Sequence, residues 1–131
     1  MIVQPDNFES VISSFADQDM VFVDVETNGL NAHGDNQLCG IGVGLTSEQT
    51  YYFPFRHWQN SPSEQNLTFN FEGYVNLPDN TLKEVIDALN KIKGLVAYNA
   101  KFDLRFLQKE GLDISDKHID DVIVMVRLSE H

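Results

Sequence analysis

Valine alternates with other residues through Val21-Phe22-Val23-Asp24-Val25-Glu26, a period of two that predicts a strand with Val21, Val23 and Val25 on one face and Asp24 and Glu26 on the other. The strand is expected over 20–25, ending in a turn at Asn28-Gly29. A second strand is expected over 38–45, where glycine recurs at Gly40, Gly42 and Gly44 and leaves one face bare. Close packing of a helix or backbone is the favoured reason, and room for a ligand the other. Thr50 to Phe55 reads as a third strand, with Pro54 marking an edge or an end. Three strands joined by short turns make an antiparallel meander.

Helical spacing appears first in Phe8, Val11, Ile12 and Phe15, with Asp6 or Asn7 as the cap. It returns in Leu82, Val85, Ile86, Leu89 and Ile92, behind a Thr81-Leu82-Lys83-Glu84 capping box and ahead of a stop at Gly94. Leu95 to Tyr98 is a short apolar strand. A helix carrying Phe102, Phe106 and Leu107 follows at once and stops at Gly111. Asn99 is its expected N-cap, which puts Asp103 in the first turn, where the helix dipole favours a negative charge. A last apolar helix is expected over 122–128, capped by Asp120 or Asp121. Between Arg56 and Asn80 the chain is rich in Asn, Gln, Ser and Pro, a long loop whose Phe69, Phe71 and Tyr74 are expected to anchor it on the core.

Composition narrows the partners. A chain of 131 residues with 42% hydrophobic content is sized for one domain with one core. Its formal net charge of -11 argues against holding nucleic acid through a broad basic surface, which works by counterion release. A local cleft in which metal ions supply the positive charge remains open. The single Cys39 cannot form an internal disulfide and suits a reducing, cytoplasmic setting as a small buried group. No apolar run approaches a membrane span, and the first residues lack a signal-peptide pattern.

The chemistry concentrates on three acids. Asp24 and Glu26 are separated by roughly 6.6 Å along a strand, and burying two like charges without a cation is costly. On those residues alone, the plainer reading is that Asp24 ends a strand and Glu26 is solvated. Asp103, at a strand-to-helix junction, adds a third carboxylate. Asp24-Val25-Glu26-Thr27-Asn28-Gly29-Leu30 and Asn99-Ala100-Lys101-Phe102-Asp103-Leu104 resemble the first two motifs of the DEDD superfamily of 3′→5′ exonucleases. Tyr52-Phe53-Pro54-Phe55-Arg56-His57 and the stretch from Asp120 to Leu128 are similar to segments of the proofreading domain of family A (Pol I-type) DNA polymerases. The resemblance runs from Met20 to the end of the chain, departing in the loop from Trp58 to Asn80.

The resemblance implies a ribonuclease-H-like α/β fold: a mixed sheet of three antiparallel strands and then a parallel one, with flanking helices. It implies two divalent ions, Mg²⁺ or Mn²⁺, held by Asp24, Glu26 and Asp103, because an all-oxygen site suits hard cations. Thr27, Leu30, Asn99 and Phe102 would meet a single-stranded DNA 3′ end, with Leu30 wedged against the terminal base. For Phe102, ordinary core packing is an equal expectation. The family's third motif, Tyr or His followed four residues later by Asp, is absent: no Tyr or His here has Asp at that offset. Residues 1–131 are therefore expected to be an exonuclease domain lacking that motif and truncated at its C-terminal end, weak or inactive by itself, with a polymerase domain as a candidate partner in a longer chain. The alternatives are a non-catalytic module of the same fold that binds nucleic acid or a polymerase, and an RNA-trimming exonuclease.

Overall fold

The computed structural model describes residues 1–29, 32, 34–57 and 74–123. Eight elements follow in chain order: α1 (Phe8–Ser13), β1 (Met20–Thr27), β2 (Leu38–Gly44), β3 (Thr50–Pro54), α2 (Asp79–Asn90), β4 (Gly94–Ala97), α3 (Ala100–Lys109) and β5 (His118–Asp121). The strands form one mixed sheet in the order β3-β2-β1-β4-β5. The β1–β2 and β2–β3 pairs are antiparallel, and β1–β4 and β4–β5 are parallel. The expected meander and its parallel neighbour are thus present, and β5 adds a second parallel strand. β5 carries no strand pattern of its own, because His-Ile-Asp-Asp offers one apolar residue in four.

Alternation in β1 separates two faces. Val21, Val23 and Val25 are buried with Ile41, Val43, Phe53 and Leu95 in a single core, to which α1, α2 and α3 contribute Phe8, Val11, Val85, Leu89, Phe106 and Leu107, and the turn after α1 contributes Phe15. Phe53 is gripped edge-on by Phe8 and Phe15, each with ring centroids 6.0 Å away. On the other face of β1 stand Phe22, Asp24 and Glu26, all exposed. The outer edge of β3 is met by the first residues of the chain: Tyr52 N–H donates to Met1 O, and Val3 N–H to Tyr52 O. That pairing blunts the edge beside Pro54, the last residue of the strand.

Several helix ends differ from the expected pattern. Asn7 occupies the N-cap of α1, but its side chain makes no cap bond; it accepts from Gln4 N–H instead. The α2 helix starts at Asp79 behind Pro78, so Thr81 lies inside the first turn, where its hydroxyl donates to Pro78 O and no capping box forms. Proline in extended backbone already sets the entry to that helix. Gly94 opens β4 and does not end α2, which stops at Asn90. Lys117 closes that end by donating to the carbonyls of Leu89, Asn90 and Ile92, a cation on the negative pole of the helix. Gly111 does end α3 as expected, with φ of 111° in the left-handed region that favours glycine.

Tyr74, from the long loop, is half-buried. Phe69 and Phe71, and the helix expected over 122–128 beyond Ile123, lie outside the described residues.

Candidate functional site

Asp24 and Glu26 are placed by β1 alone: with the valines committed to the core, the period of two fixes the acids on the open face. The β1–β2 ladder pairs Asp24 with Gly42 and Glu26 with Gly40, and its register shifts between Glu26 and Thr27, which pairs with Leu38. Cys39 is thereby the extra residue, a bulge on β2 beside the acids. It is buried, as expected, and burial pushes its thiol pKa up. Its carbonyl accepts both Phe55 N–H and Arg56 N–H, tying down the end of β3.

Asp103 comes from the first turn of α3 and is 4% exposed. Burial, then the charge of Asp24, pushes its pKa from 3.8 up to about 7; the Val25 backbone N–H pulls the other way, and Asp121 and Glu26 push further up. Asp24 and Glu26 thus both act on Asp103, and so does Asp121. Among the described residues, no three His, Cys, Asp or Glu side chains are gathered tightly enough to chelate an ion. The donor set nevertheless suits a hard cation: it is all carboxylate oxygen, two of its members are exposed, and the third carries a repulsion that a positive charge would relieve.

Asn99 stands at the N-cap of α3, yet its side chain makes no cap hydrogen bond. Asp121 does the work instead. Its Oδ2 accepts Ala100 N–H at 3.2 Å while Oδ1 accepts Ile123 N–H at 3.0 Å. Of the two residues expected to cap the last segment, it is Asp121 that accepts the Ile123 N–H. Its place beside Asp103 was invisible in the sequence, because nothing there reveals that β5 pairs with β4.

The expected substrate contacts fall as follows. Thr27 is half-buried and its hydroxyl donates to Gly29 O at 2.6 Å. Asn99 is exposed. Phe102 is partly buried against the core, its ring 5.2 Å from that of Phe106, as packing alone would have it. Leu30 lies outside the described residues.

The glycines of β2 do not serve helix or backbone packing. Tyr52 occupies the space over Gly40: a Cβ there would meet its hydroxyl oxygen at 2.0 Å. Gly42 and Gly44 line an open groove of about 590 Å³ with Phe22, Asp24, Thr50, Tyr51, Tyr52 and Tyr98. Phe22 and Tyr98 are 58% and 67% exposed. The groove opens beside the acids and carries aromatic rings away from them. Among the described residues, no helix is long and apolar enough to cross a membrane.

Comparison with known proteins gives a profile match to the RNase H superfamily over residues 21–129. No curated protein sequence matches the chain. Among solved structures, the EXO domain of Nibbler from Aedes aegypti superposes with a TM-score of 0.60 at 15% identity, over 99% of this chain and 56% of that one. NrnC of Brucella melitensis bound to pGG gives 0.53 at 16% identity, over 88% and 46%; a further NrnC structure has bound Mg²⁺. The RNase domain of yeast Pop2 gives 0.65 at 14% identity, over 98% and 69%. The chain spans about half the length of the Nibbler and NrnC structures. At these identities the likeness is one of fold.

Proposed function

The chain belongs to the RNase H superfamily, and on that premise we propose that residues 1–131 form a DEDD-type 3′→5′ exonuclease domain that removes nucleotides from DNA 3′ ends, as in the proofreading domains of family A polymerases. The observation that carries the reading is the placement of the acids within the family's fold: Asp24 and Glu26 stand on the open face of β1, and the buried Asp103 in the first turn of α3 lies within the field of both. Carboxylates sharing a field in this way suit a site that receives a cation.

Asp24, Glu26 and Asp103 would hold Mg²⁺ or Mn²⁺. When bound, two such ions supply a hydroxide nucleophile and steady the leaving oxygen. The chain's own part is to present the donors in order. Val25 N–H faces the Asp103 carboxyl and favours its ionised form, and the bulge at Cys39 sets how Glu26 and Thr27 face β2. Asp103 becomes a ligand by giving up its proton, so metal affinity should rise as pH passes through about 7. Thr27, Asn99, Phe102 and Leu30 would contact the terminal nucleotide. The aromatic groove suits stacked bases, since every base presents a π-face to an aromatic ring whatever its sequence.

A second reading, trimming of RNA 3′ ends, is favoured by the structural likeness to the RNase domain of Pop2. The deciding experiment incubates the purified chain with 5′-labelled single-stranded DNA and RNA of one sequence, with Mg²⁺, Mn²⁺ or EDTA. The expected result is slow shortening from the 3′ end, dependent on metal, together with Mn²⁺ binding, both lost in D24N and D103N. A chain that binds no Mn²⁺ through these acids, or shortening that persists in D24N, would refute the reading. The ratio of DNA to RNA rates chooses between the substrates.

A further inference from the structure

Beside the three acids the open face carries a hydroxyl–imidazole pair that the site as described does not use. The Tyr52 hydroxyl and His57 Nε2 are 2.5 Å apart, with ring centroids at 5.6 Å. We propose that Tyr52 is a catalytic residue that orients the attacking water at Glu26, with His57 as the positioning residue that aims its hydroxyl; the inference rests on the exonuclease reading above.

Placement comes first. Gly40 pairs with Glu26 in the β1–β2 ladder, and Tyr52 reaches across from β3 into the space that a side chain at Gly40 would fill. Paired residues on antiparallel strands have their Cβ atoms about 4.5–5.5 Å apart. A hydroxyl standing in place of the Gly40 Cβ is thus about one water molecule from the base of the Glu26 side chain. Burial is the larger influence on both rings, pushing the Tyr52 pKa up and the His57 pKa down, and the charge of Glu26 acts on each, adding to the first and opposing the second, so Glu26 lies within the field of the pair.

The pair is also held more firmly than the end of a strand requires. The buried Asn76 grips the His57 backbone on both sides: Oδ1 accepts His57 N–H at 3.0 Å, and Nδ2 donates to His57 O at 2.7 Å. Next to it, Arg56 donates to Leu38 O and to Glu110. A group fixed this way spends little entropy on taking up a working geometry.

The direction of the hydrogen bond follows from the surroundings. Burial, then Glu26, pushes the Tyr52 pKa up, and burial pulls that of His57 down. The phenol therefore keeps its proton and the imidazole stays neutral, so the Tyr52 O–H donates to Nε2. The lone pairs of the phenol oxygen are left to accept from a water whose other partner is the Glu26 carboxylate. A Tyr or His placed by the absent third motif would do the same task, so activity is measured on this chain itself.

The test compares wild type, Y52F, H57Q, H57A and D24N in a Mn²⁺-dependent assay on the labelled oligonucleotides, with melting temperatures and nuclear magnetic resonance spectra of each. Y52F is expected to lower kcat on the order of 10²-fold, with KM and melting temperature near those of wild type. H57A should fall comparably, the Y52F/H57A double variant should fall no further, and H57Q, whose amide oxygen still accepts, should recover part of the rate. Independently of activity, bound Mn²⁺ should broaden the Tyr52 and His57 ring signals, and D24N should abolish the broadening. Wild type active, D24N inert and Y52F unimpaired would overturn the role of the pair alone, as would ring signals that stay sharp while those of Glu26 broaden. A wild type in which bound Mn²⁺ broadens neither the signals of the acids nor those of the two rings would overturn the exonuclease reading and this inference with it. If Y52F melts early, H57Q and H57A carry the comparison.

Discussion

Replacing Asp103 with Asn should stabilise the metal-free protein, and the gain should depend on pH. In the folded chain Asp103 has its pKa raised from 3.8 to about 7, by burial first and the Asp24 charge second. For a carboxylic acid this means that the folded state binds the proton more tightly than the unfolded state. Below about pH 4 both states are protonated and nothing is lost. Between about pH 4 and pH 7 the unfolded chain ionises while the folded chain does not, so stability falls by about 1.4 kcal/mol per pH unit. Above pH 7 the loss levels off at about 4 kcal/mol, the free-energy equivalent of the rise. That is a large part of the 5–15 kcal/mol typical of a domain.

Asn keeps an oxygen for the Val25 N–H and carries no charge. The advantage of D103N over wild type should be near zero at pH 4 and grow to several kcal/mol, at most about 4, by pH 8. In urea, with slopes of about 1–3 kcal/mol/M, that displaces the midpoint by more than about 1 M. Circular dichroism of both proteins in EDTA at pH 5 and pH 8 measures it. If the difference between variant and wild type is the same at both values, Asp103 does not carry the proton assigned to it. If D103N is the weaker protein at pH 8, the carboxylate is a structural hydrogen-bond acceptor.

Other sites make separate demands. K117M should lower stability by about 1.5–3 kcal/mol, since three carbonyls at the end of α2 lose a charged donor; a melt unchanged from wild type would show that water replaces it without loss. N76A should cost about 1–3 kcal/mol by leaving His57 N–H and O without their partners, and its urea midpoint should fall equally with and without Mg²⁺. G111A should cost about 1 kcal/mol or more, because alanine is strained at φ of 111°, and a neutral result would mean that the end of α3 rearranges.

Strong periodicity made much of this fold legible. Val21, Val23 and Val25 specify β1 and its orientation, and Leu82, Val85, Ile86, Leu89 and Ile92 all point into the core as their spacing requires. The acids followed from β1, since a strand that buries its valines has one place left for Asp24 and Glu26. What could not be read was long-range. The capping of α3 falls to Asp121, twenty-one residues from Ala100, because β5 runs beside β4, and a local preference of Asn99 for the N-cap does not outweigh a full negative charge delivered there. The glycines of β2 were equally ambiguous: only the register of β3 reveals that Gly40 is occupied by Tyr52 and that Gly42 and Gly44 are open.

The double hold of Asp121 links two equilibria that are otherwise separate. Among the described residues β5 is an edge strand of four residues, paired on one side to β4, and edges of this kind fray well below the free energy of global unfolding. When β5 leaves, the anion that accepts Ala100 N–H leaves with it, and so does one of the charges that pushes Asp103 up. Opening of the edge therefore releases the first turn of α3 and lowers the proton affinity of Asp103 in a single event. By reciprocity, ionising Asp103 favours the open edge. Hydrogen exchange at the Ala100 and Ile123 amides should accelerate together as pH rises through 7, beyond the intrinsic increase, and should do so less in D103N.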